Sequence, residues 1–479
     1  MVLALALVLV PLGLAPVAFL LPSERWRPWL LPLGGAARLA LTAAALPRQD
    51  VTALSGWLQL DALGKVLLLL LDVLFFLCAL YAPAYLKMRA SRDNRALCGC
   101  MLAFLGTSGL VAQAHHLGLL WVAIEATTLA SAPTLYFNRN TRSLEATWKY
   151  LLIGSVGIAL ALLGSFFLAY SAVRGGAGSS LLVEDLVRDA ARLSPAWLHA
   201  AFIFLFVGYG TKMGLAPMHT WKPDAYGEAP GLVGTLLAGG LTGCAFLAVL
   251  RFFQICQAAG QAAFARQIMI AIGLVSMLVA GAFMARQRDY KRMLAYSSVE
   301  HMGILVLGVG VGGGALFGAL LHLVNNGLTK GVMFLSAGNI HRAFGSKLTT
   351  EVSGALRRVP VSGALFLAGF FAVTGTPPFG PFISEFTILR AAMQGGQVWV
   401  AVVFLVAITV VFLGMGATVL QIVQGEPRPG REPTGFRDTA LTVGPPLALL
   451  ALVLMLGLYI PPPLQALLAE AARALEPRS

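Results

Sequence analysis

Stretches of about twenty mostly apolar residues, the length that carries an α-helix across a bilayer, recur along the chain with short polar gaps between them. They fall near residues 1–21, 29–46, 62–86, 97–115, 117–137, 148–173, 197–221, 231–252, 266–285, 294–313, 315–338, 360–395, 397–423 and 441–460. The pattern predicts an all-α polytopic membrane protein of about fourteen transmembrane helices in a single integral membrane domain. Two runs depart from it. The run at 360–395 is too long for one straight helix and is interrupted by Thr376-Pro377-Pro378-Phe379-Gly380-Pro381, and the seventh run carries a similar fault at Gly210, Gly214 and Pro217. Both are expected to be broken helices, because non-helical backbone at membrane depth persists only where protein or a water-filled cavity satisfies its polar groups. Spans four to eight (97–255) and nine to thirteen (266–423) then form two five-helix units, each with its fourth member broken. Five being odd, the second unit starts on the opposite face, which gives an inverted repeat with the working site between the halves. Helices one to three occupy 1–96, and helix fourteen with the C-terminal tail 441–479.

Composition sharpens this. Of 479 residues 58% are hydrophobic and 11% charged, too few polar groups to cover a soluble fold of this size. A net charge of +13 raises nucleic acid as a partner, but the basic residues cluster in short loops, as the positive-inside rule requires of a membrane protein. With the N-terminus outside, the inner loops hold Arg25, Arg27, Lys87, Arg89, Arg92, Arg95, Arg139, Arg142, Lys222, Arg286, Arg288, Lys291, Arg292, Arg342, Lys347, Arg357, Arg358, Arg428, Arg431 and Arg437. The outer segments hold only Arg48, Arg174, Arg188, Arg192, Arg266, Arg473 and Arg478, so both termini are expected outside. The first run has no basic leader and no small-residue cleavage site, and reads as a retained span. The five cysteines lack paired CxxC spacing, and no metal or other cofactor is expected.

Ionisable side chains at the bilayer centre are costly and therefore functional candidates. Glu125 lies mid-way along the fifth span, Lys212 beside the break of the seventh, Lys330 in the eleventh and Glu385 just after the break of the twelfth. Carboxylates and desolvated lysines together can relay protons, the acid setting the proton affinity of the amine. His322, Asn326 and Lys330 recur at four-residue intervals and share one helix face, a polar stripe in an apolar helix. His301, next to Glu300 at the start of the tenth span, is a candidate relay member or an interfacial anchor, with Glu300 a supporting residue. Pro217 and Pro378 mark the breaks, and the inner loop after Pro217 carries His219, Asp224 and Glu228, the two acids placed to cap the eighth helix. Arg251 reads as snorkelling to the interface, Asp61 and Lys65 as solvated, and Asp72 as contacting a partner subunit or a polar neighbour.

The segment GYGTKMGLAPMHTWKPDAYGEAP resembles the broken seventh helix and following loop of the proton-translocating antiporter-like subunits shared by respiratory complex I, multisubunit cation/proton antiporters and group 4 membrane-bound hydrogenases. KRMLAYSSVEHMGIL, HLVNNGLTKGVMFLSAGNI and PPFGPFISEFTIL extend the resemblance over nearly the whole chain, and ATWKYLLIGSVGIALALLGS with AYSSVEHMGIL looks most like component F of the hydrogenase-4 and formate hydrogenlyase type. The resemblance implies fourteen helices with both termini outside, in a prokaryotic plasma membrane. It implies Glu125, Lys212 and Lys330 as the family's fifth-, seventh- and eleventh-helix relay groups and Glu385 as its terminal acid. It also implies partner membrane subunits that supply redox chemistry, with no catalytic or redox centre in this chain. Three departures accompany it: Gly243 stands where many relatives place a relay lysine, Asn326 replaces a common histidine, and Tyr226 replaces another in the loop.

The leading expectation is a proton-translocating subunit of a redox-driven complex. A subunit of a cation/proton antiporter, moving sodium against protons, uses the same carboxylates and unwound carbonyls. A non-pumping scaffold would have no use for the buried charges, and a quinone- or metal-binding enzyme finds no haem-ligand pair, CxxC pair or Gly-rich nucleotide loop here.

Overall fold

The structure, a computed structural model, describes every residue except Asp50, Ser179, Arg286, 428–433 and 477–479. Of the loop charges above, Arg286, Arg428, Arg431 and Arg478 lie outside the described residues. Twenty α-helices follow one another in the described chain: α1 (Val2–Leu20), α2 (Leu30–Ala45), α3 (Ala62–Lys87), α4 (Arg95–Gln113), α5 (Leu117–Leu135), α6 (Thr141–Arg174), α7 (Val183–Arg188), α8 (Pro195–Met213), α9 (Trp221–Glu228), α10 (Gly231–Thr235), α11 (Thr242–Ala258), α12 (Ala262–Met284), α13 (Tyr290–Val311), α14 (Gly314–Phe344), α15 (Ala355–Arg358), α16 (Pro360–Val373), α17 (Gly380–Gln394), α18 (Val398–Val423), α19 (Ala440–Leu458) and α20 (Pro462–Arg473). The fold is that of an all-α, multi-pass membrane protein, and among the described residues ten helical stretches are long and apolar enough by themselves to cross a bilayer.

A helix in hydrocarbon must satisfy its backbone internally and close its ends with side chains or turns. Asp61 accepts the Gly64 N–H at the head of α3, Asn140 and Ser143 exchange hydrogen bonds at the head of α6, and Asp289 accepts from Lys291 and Arg292 at the head of α13. Packing between helices relies on small residues, since apolar burial gives little drive in lipid. Where α6 meets α8, a Cβ on Gly157 would lie 2.9 Å from the Gly208 carbonyl oxygen and one on Gly208 2.6 Å from that of Gly157, so the two backbones touch.

The centre of the bundle is α3, the stretch from α10 to α11, α13 and α14, whose side chains are almost all buried. Lipid-facing apolar residues mark the periphery, among them Leu20 on α1, Leu152 on α6 and Leu413 on α18. Three features were not legible from hydropathy: a π-helical turn at Leu236–Leu241 between α10 and α11, the short α7, and a two-stranded hairpin pairing Thr52 with Gln59.

Both broken helices are present. α8 stops at Met213 because Gly214 adopts φ +75, a conformation open to glycine. Leu215 N–H then returns to the Gly210 carbonyl at 2.9 Å, and Trp221 Nε1 donates to the Thr211 carbonyl at 2.9 Å. Ala216 N–H, beyond the break, donates to Ser276 Oγ on α12 at 3.0 Å. The interrupted backbone is thus satisfied by protein. The second break lies between α16 and α17, where Thr376 N–H reaches the Phe371 carbonyl at 3.0 Å. The Ala216-Pro217 and Pro377-Pro378 bonds at the two breaks are cis.

Candidate functional site

The end of α8 presents Lys212 to α5. Its Nζ lies 2.8 Å from Glu125 Oε2 and donates to Thr128 Oγ1 at 2.7 Å. The lysine side chain is 1% exposed and that of Glu125 19%, so the ammonium is inside the protein and its carboxylate is the more accessible partner. Gly154 on α6 opens the space: a Cβ there would stand 2.8 Å from Lys212 Nζ.

A second group of polar side chains gathers on α13 and α14. Lys330, fully buried, donates to Ser297 Oγ at 2.5 Å. Glu300, one helical turn from Ser297, is 3% exposed and its Oε2 has no hydrogen-bond partner among the described residues. His301 Nδ1 and His322 Nε2 lie 2.9 Å apart, and His322 Nδ1 lies 2.9 Å from Ser384 Oγ on α17. Glu385 follows Ser384 and turns its carboxylate into the second break, where a Cβ on Gly375 would meet Oε2 at 2.1 Å. The His301–His322–Ser384 chain admits two proton arrangements, running toward Ser384 or away from it, because each neutral imidazole donates from one nitrogen and accepts at the other. That reversibility is what a relay needs.

His301, His322 and Glu385 bring potential ligand atoms within 4.8 Å of one another, a metal-like grouping that sequence spacing did not suggest. Both His322 nitrogens are already engaged in hydrogen bonds, one of them with His301.

The structure therefore brings Glu125, Lys212, Lys330, His301, His322, Glu300 and Glu385 into the interior. Asn326 is buried on the same α14 face, its Oδ1 unpartnered among the described residues. His219 packs near the rings of Phe283 and Tyr296, its Nδ1 without a hydrogen-bond partner among the described residues. Asp224 sits elsewhere: it pairs with Lys149 at 2.8 Å and Arg292 at 2.6 Å at the rim, and Glu228 pairs with Lys347 at 2.6 Å. The expected capping role fails, since Pro230 is the N-cap residue of α10, with no side-chain cap, and both acids are taken by cations outside that helix.

Other sequence expectations need correction. Arg251 does not snorkel; it is 1% exposed and grips Asp61 with two hydrogen bonds of 2.6 and 2.7 Å. Lys65 is not solvated: it is buried and donates to the Arg48 carbonyl at 2.7 Å. Burial alone would raise the Asp61 carboxyl, but Arg251 and the Gly64 N–H hold it well below the usual range. His115, in the turn between α4 and α5, is pushed down to about 4 by burial and by Arg251. For Asp72 the polar-neighbour reading holds: fully buried, it accepts a hydrogen bond from Thr42 and lies 3.6 Å from Arg38, a basic residue in α2 that hydropathy did not single out. Gly243 faces Leu67 and Leu323, an apolar wall.

Sequence reasoning also missed Lys222 and Lys291, which it placed in inner loops. Both are buried, Lys222 against Ser298 and Lys291 against the carbonyls of Gly227 and Ala229. The available signal for Lys222 was its neighbours: it lies between Trp221 and Pro223, directly after a broken helix.

A bundle of hydrocarbon-spanning helices with two broken members and a buried series of lysines, histidines and acids defines a polytopic membrane protein of the ion-translocating class. Residues 114–412 match the family described as NADH:quinone oxidoreductase/Mrp antiporter, transmembrane, and the chain belongs to that family. It is 36% identical over 415 residues to a hydrogenase-4 component F homolog of Methylacidiphilum infernorum, covering 84% of this chain and 85% of that one. It is 30% identical over 424 residues to NADH-quinone oxidoreductase subunit N of Desulforudis audaxviator, covering 85% and 82%. In fold it superposes with TM-score 0.86, at 21% identity and covering 98% and 97% of the two chains, on a chain of the membrane-bound sulfane sulfur reductase, an archaeal respiratory membrane complex.

Proposed function

We propose that this chain is a proton-translocating subunit of a redox-driven membrane complex, and that protons move through Glu125, Lys212, Lys330, His301, His322 and Glu385. The observation that carries the reading is a pair of groups of exchangeable side chains, Glu125 with Lys212 at the first helix break and the His301–His322–Ser384 chain beside Glu385 at the second, nearly all of them buried. The relatives named hydrogenase-4 component F and NADH-quinone oxidoreductase subunit N support it. On this reading Glu125 holds the Lys212 proton while paired and releases it when the pair opens. Glu300, Asn326 and His219 support the hydrated interior, and Pro217 and Pro378 keep the breaks open. Electrons are handled by partner membrane subunits.

The same reading has fourteen spans, the ten above joined by Leu30–Ala45, Pro195–Met213, Gly314–Phe344 and the broken pair Pro360–Val373 and Gly380–Gln394. Residues 97–255 and 266–423 are its inverted units, flanked by 1–96 and 441–479. Both termini face outward across a prokaryotic plasma membrane, supported by the loop charges.

The test is acidification by the intact complex in proteoliposomes, driven by its own redox reaction, with wild type against Lys212→Ala and with and without sodium. Loss of proton movement in an assembled, sodium-indifferent variant supports the relay. Dependence on sodium supports the antiporter reading, and unchanged translocation makes the subunit a scaffold.

A further inference from the structure

Hydropathy places Lys222 in an inner loop, yet its side chain is wholly buried. α9 carries it back beneath the break of α8. A Cβ on Gly214 would stand 2.4 Å from Lys222 Cδ and 2.5 Å from Cε, so the lysine stem passes over the break two residues beyond Lys212. Its Nζ then reaches α13, donating to Ser298 Oγ at 3.0 Å, with the Ser298 carbonyl at 3.4 Å and the Tyr226 ring centre at 5.7 Å. The adjacent Ser297 holds Lys330. Consecutive serines on one helix thus hold two buried lysines from two other helices.

Two ordinary explanations of a lysine fail here. A snorkelling lysine leaves its ammonium at the surface, and this one is inside. A structural buried cation is matched by a carboxylate, because an unpaired buried charge is strongly destabilising. Among the described residues Lys222 has hydroxyl, carbonyl and aromatic neighbours and another lysine, and forms no ion pair with an acid. A lysine desolvated in this way exchanges its proton readily.

We propose that Lys222 is a proton-exchanging member of the buried axis, connecting the break of α8 that carries Lys212 to Lys330 on α14 through the Ser298–Ser297 pair. The inference rests on the proton-translocation reading. Its amine takes a proton from the α8 side and gives it to the Lys330 amine as that group empties. One N–H bond forms as another breaks, and no electron or co-reactant is needed. The eighth span offers no ionisable group at Gly243, which faces Leu67 and Leu323, so the connection comes from the loop instead.

The experiment uses the intact complex in proteoliposomes, with protons moved per redox turnover and their pH dependence measured for Lys222→Met, Lys222→Arg, Ser298→Ala and Lys212→Ala. Lys222→Met keeps the stem over Gly214 and removes the ammonium, with its charge, its exchangeable proton and its bond to Ser298, and Lys222→Arg separates charge from exchange. We expect it to lower proton movement by about tenfold or more. Lys222→Arg keeps the charge but does not give up its proton, and is expected not to restore transport. Ser298→Ala, the milder change, is expected to slow transport and shift its pH profile, and decides the matter if the lysine variants do not assemble. Wild-type transport and pH profile in Lys222→Met, or in Ser298→Ala when that variant decides, overturn the proposal. Full rescue by Lys222→Arg also overturns it, since only a fixed charge would then be needed. Lys212→Ala separates the two levels: if it stops transport while Lys222→Met does not, this inference alone falls, and if both are silent the translocation reading falls with it.

Discussion

Gly154→Ala disturbs the Lys212 site without touching a charge. The new methyl would lie 2.8 Å from Lys212 Nζ and 3.6 Å from Cε. Ordinary contact requires about 3.5 Å or more, so the ammonium must retreat by roughly 0.7 Å. Thr128 Cγ2, at 3.7 Å from the methyl, already stands at normal contact and does not need to move. The retreat stretches the bonds to Glu125 and Thr128, now 2.8 and 2.7 Å, to the limit of hydrogen bonding. A charge-assisted hydrogen bond contributes about 1.5–3 kcal/mol. Partial loss, near 1.4 kcal/mol, corresponds to about a tenfold change in the occupancy or rate it controls. The fold should not suffer, because the clash is with the far end of a flexible side chain and alanine is favoured over glycine within a helix by roughly 0.5–1 kcal/mol. The assay is proton uptake into proteoliposomes per redox turnover, beside a thermal unfolding curve of the purified complex. We expect unfolding within a degree or two of wild type, on the order set by those small opposing terms, and transport reduced about tenfold. An assembled variant with wild-type transport would refute the view that the geometry of the Glu125–Lys212 pair gates the proton.

The ion pairs outside the axis should behave oppositely. Arg251→Ala strands the Asp61 carboxylate and should cost about 3–5 kcal/mol of stability, read as a lower unfolding temperature in detergent, while protons per turnover in the surviving complex stay unchanged. Arg38→Ala strands Asp72, with the same two expected readings. His115 adds a pH dependence. Its ring is native in the neutral form, with its value lowered from 6.5 to about 4, so its contribution is complete above pH 6.5 and is lost as pH falls toward 4, at most about 3 kcal/mol. Asp61, held below its ordinary 3.8, loses its contribution only at still lower pH. Unfolding temperatures at neutral and mildly acidic pH in wild type and His115→Phe check this, and equal acid sensitivity in the two would rule it out.

Period and length in the sequence were enough to place an all-α, multi-pass bundle, the ten helices long and apolar enough to span among the described residues, and both breaks. The bilayer enforces helices, and proline and glycine interrupt them at Gly214 to Pro217 and at Thr376 to Pro381 in ways that local chemistry alone decides. Charges deep within long apolar runs, Glu125, Lys212 and Lys330, were legible for the same reason. What hydropathy could not resolve was depth near the ends of helices. Arg251, Lys65, Lys222 and Lys291 all lie close to span boundaries, where a residue a few positions along the chain faces either water or the core according to how a short helix such as α9 folds back. The π-helical turn at Leu236–Leu241 is equally invisible, because it depends on packing against α3 and α14 and not on composition.

Burial by itself does not separate working charges from structural ones; their partners do. Arg251 with Asp61 and Arg38 with Asp72 are buried cations matched by acids, and such pairs hold protons tightly and stay put. Lys330 and Lys222 are buried against serine hydroxyls, and Glu300 keeps an oxygen without a donor. Their charges are therefore conditional on the protonation of their neighbours. Lys212 stands between the two groups: it has a carboxylate, but one whose other face is partly accessible, so its match can be made and broken. A protein that only needed to fold in lipid would match every charge or omit it. Among the described residues Lys222 stays in the interior with no acid beside it, held by Ser298 on α13, while Lys330 has only the charge of Glu300 nearby, and on the proposed reading that shortage of counter-ions suits the two lysines to exchange protons.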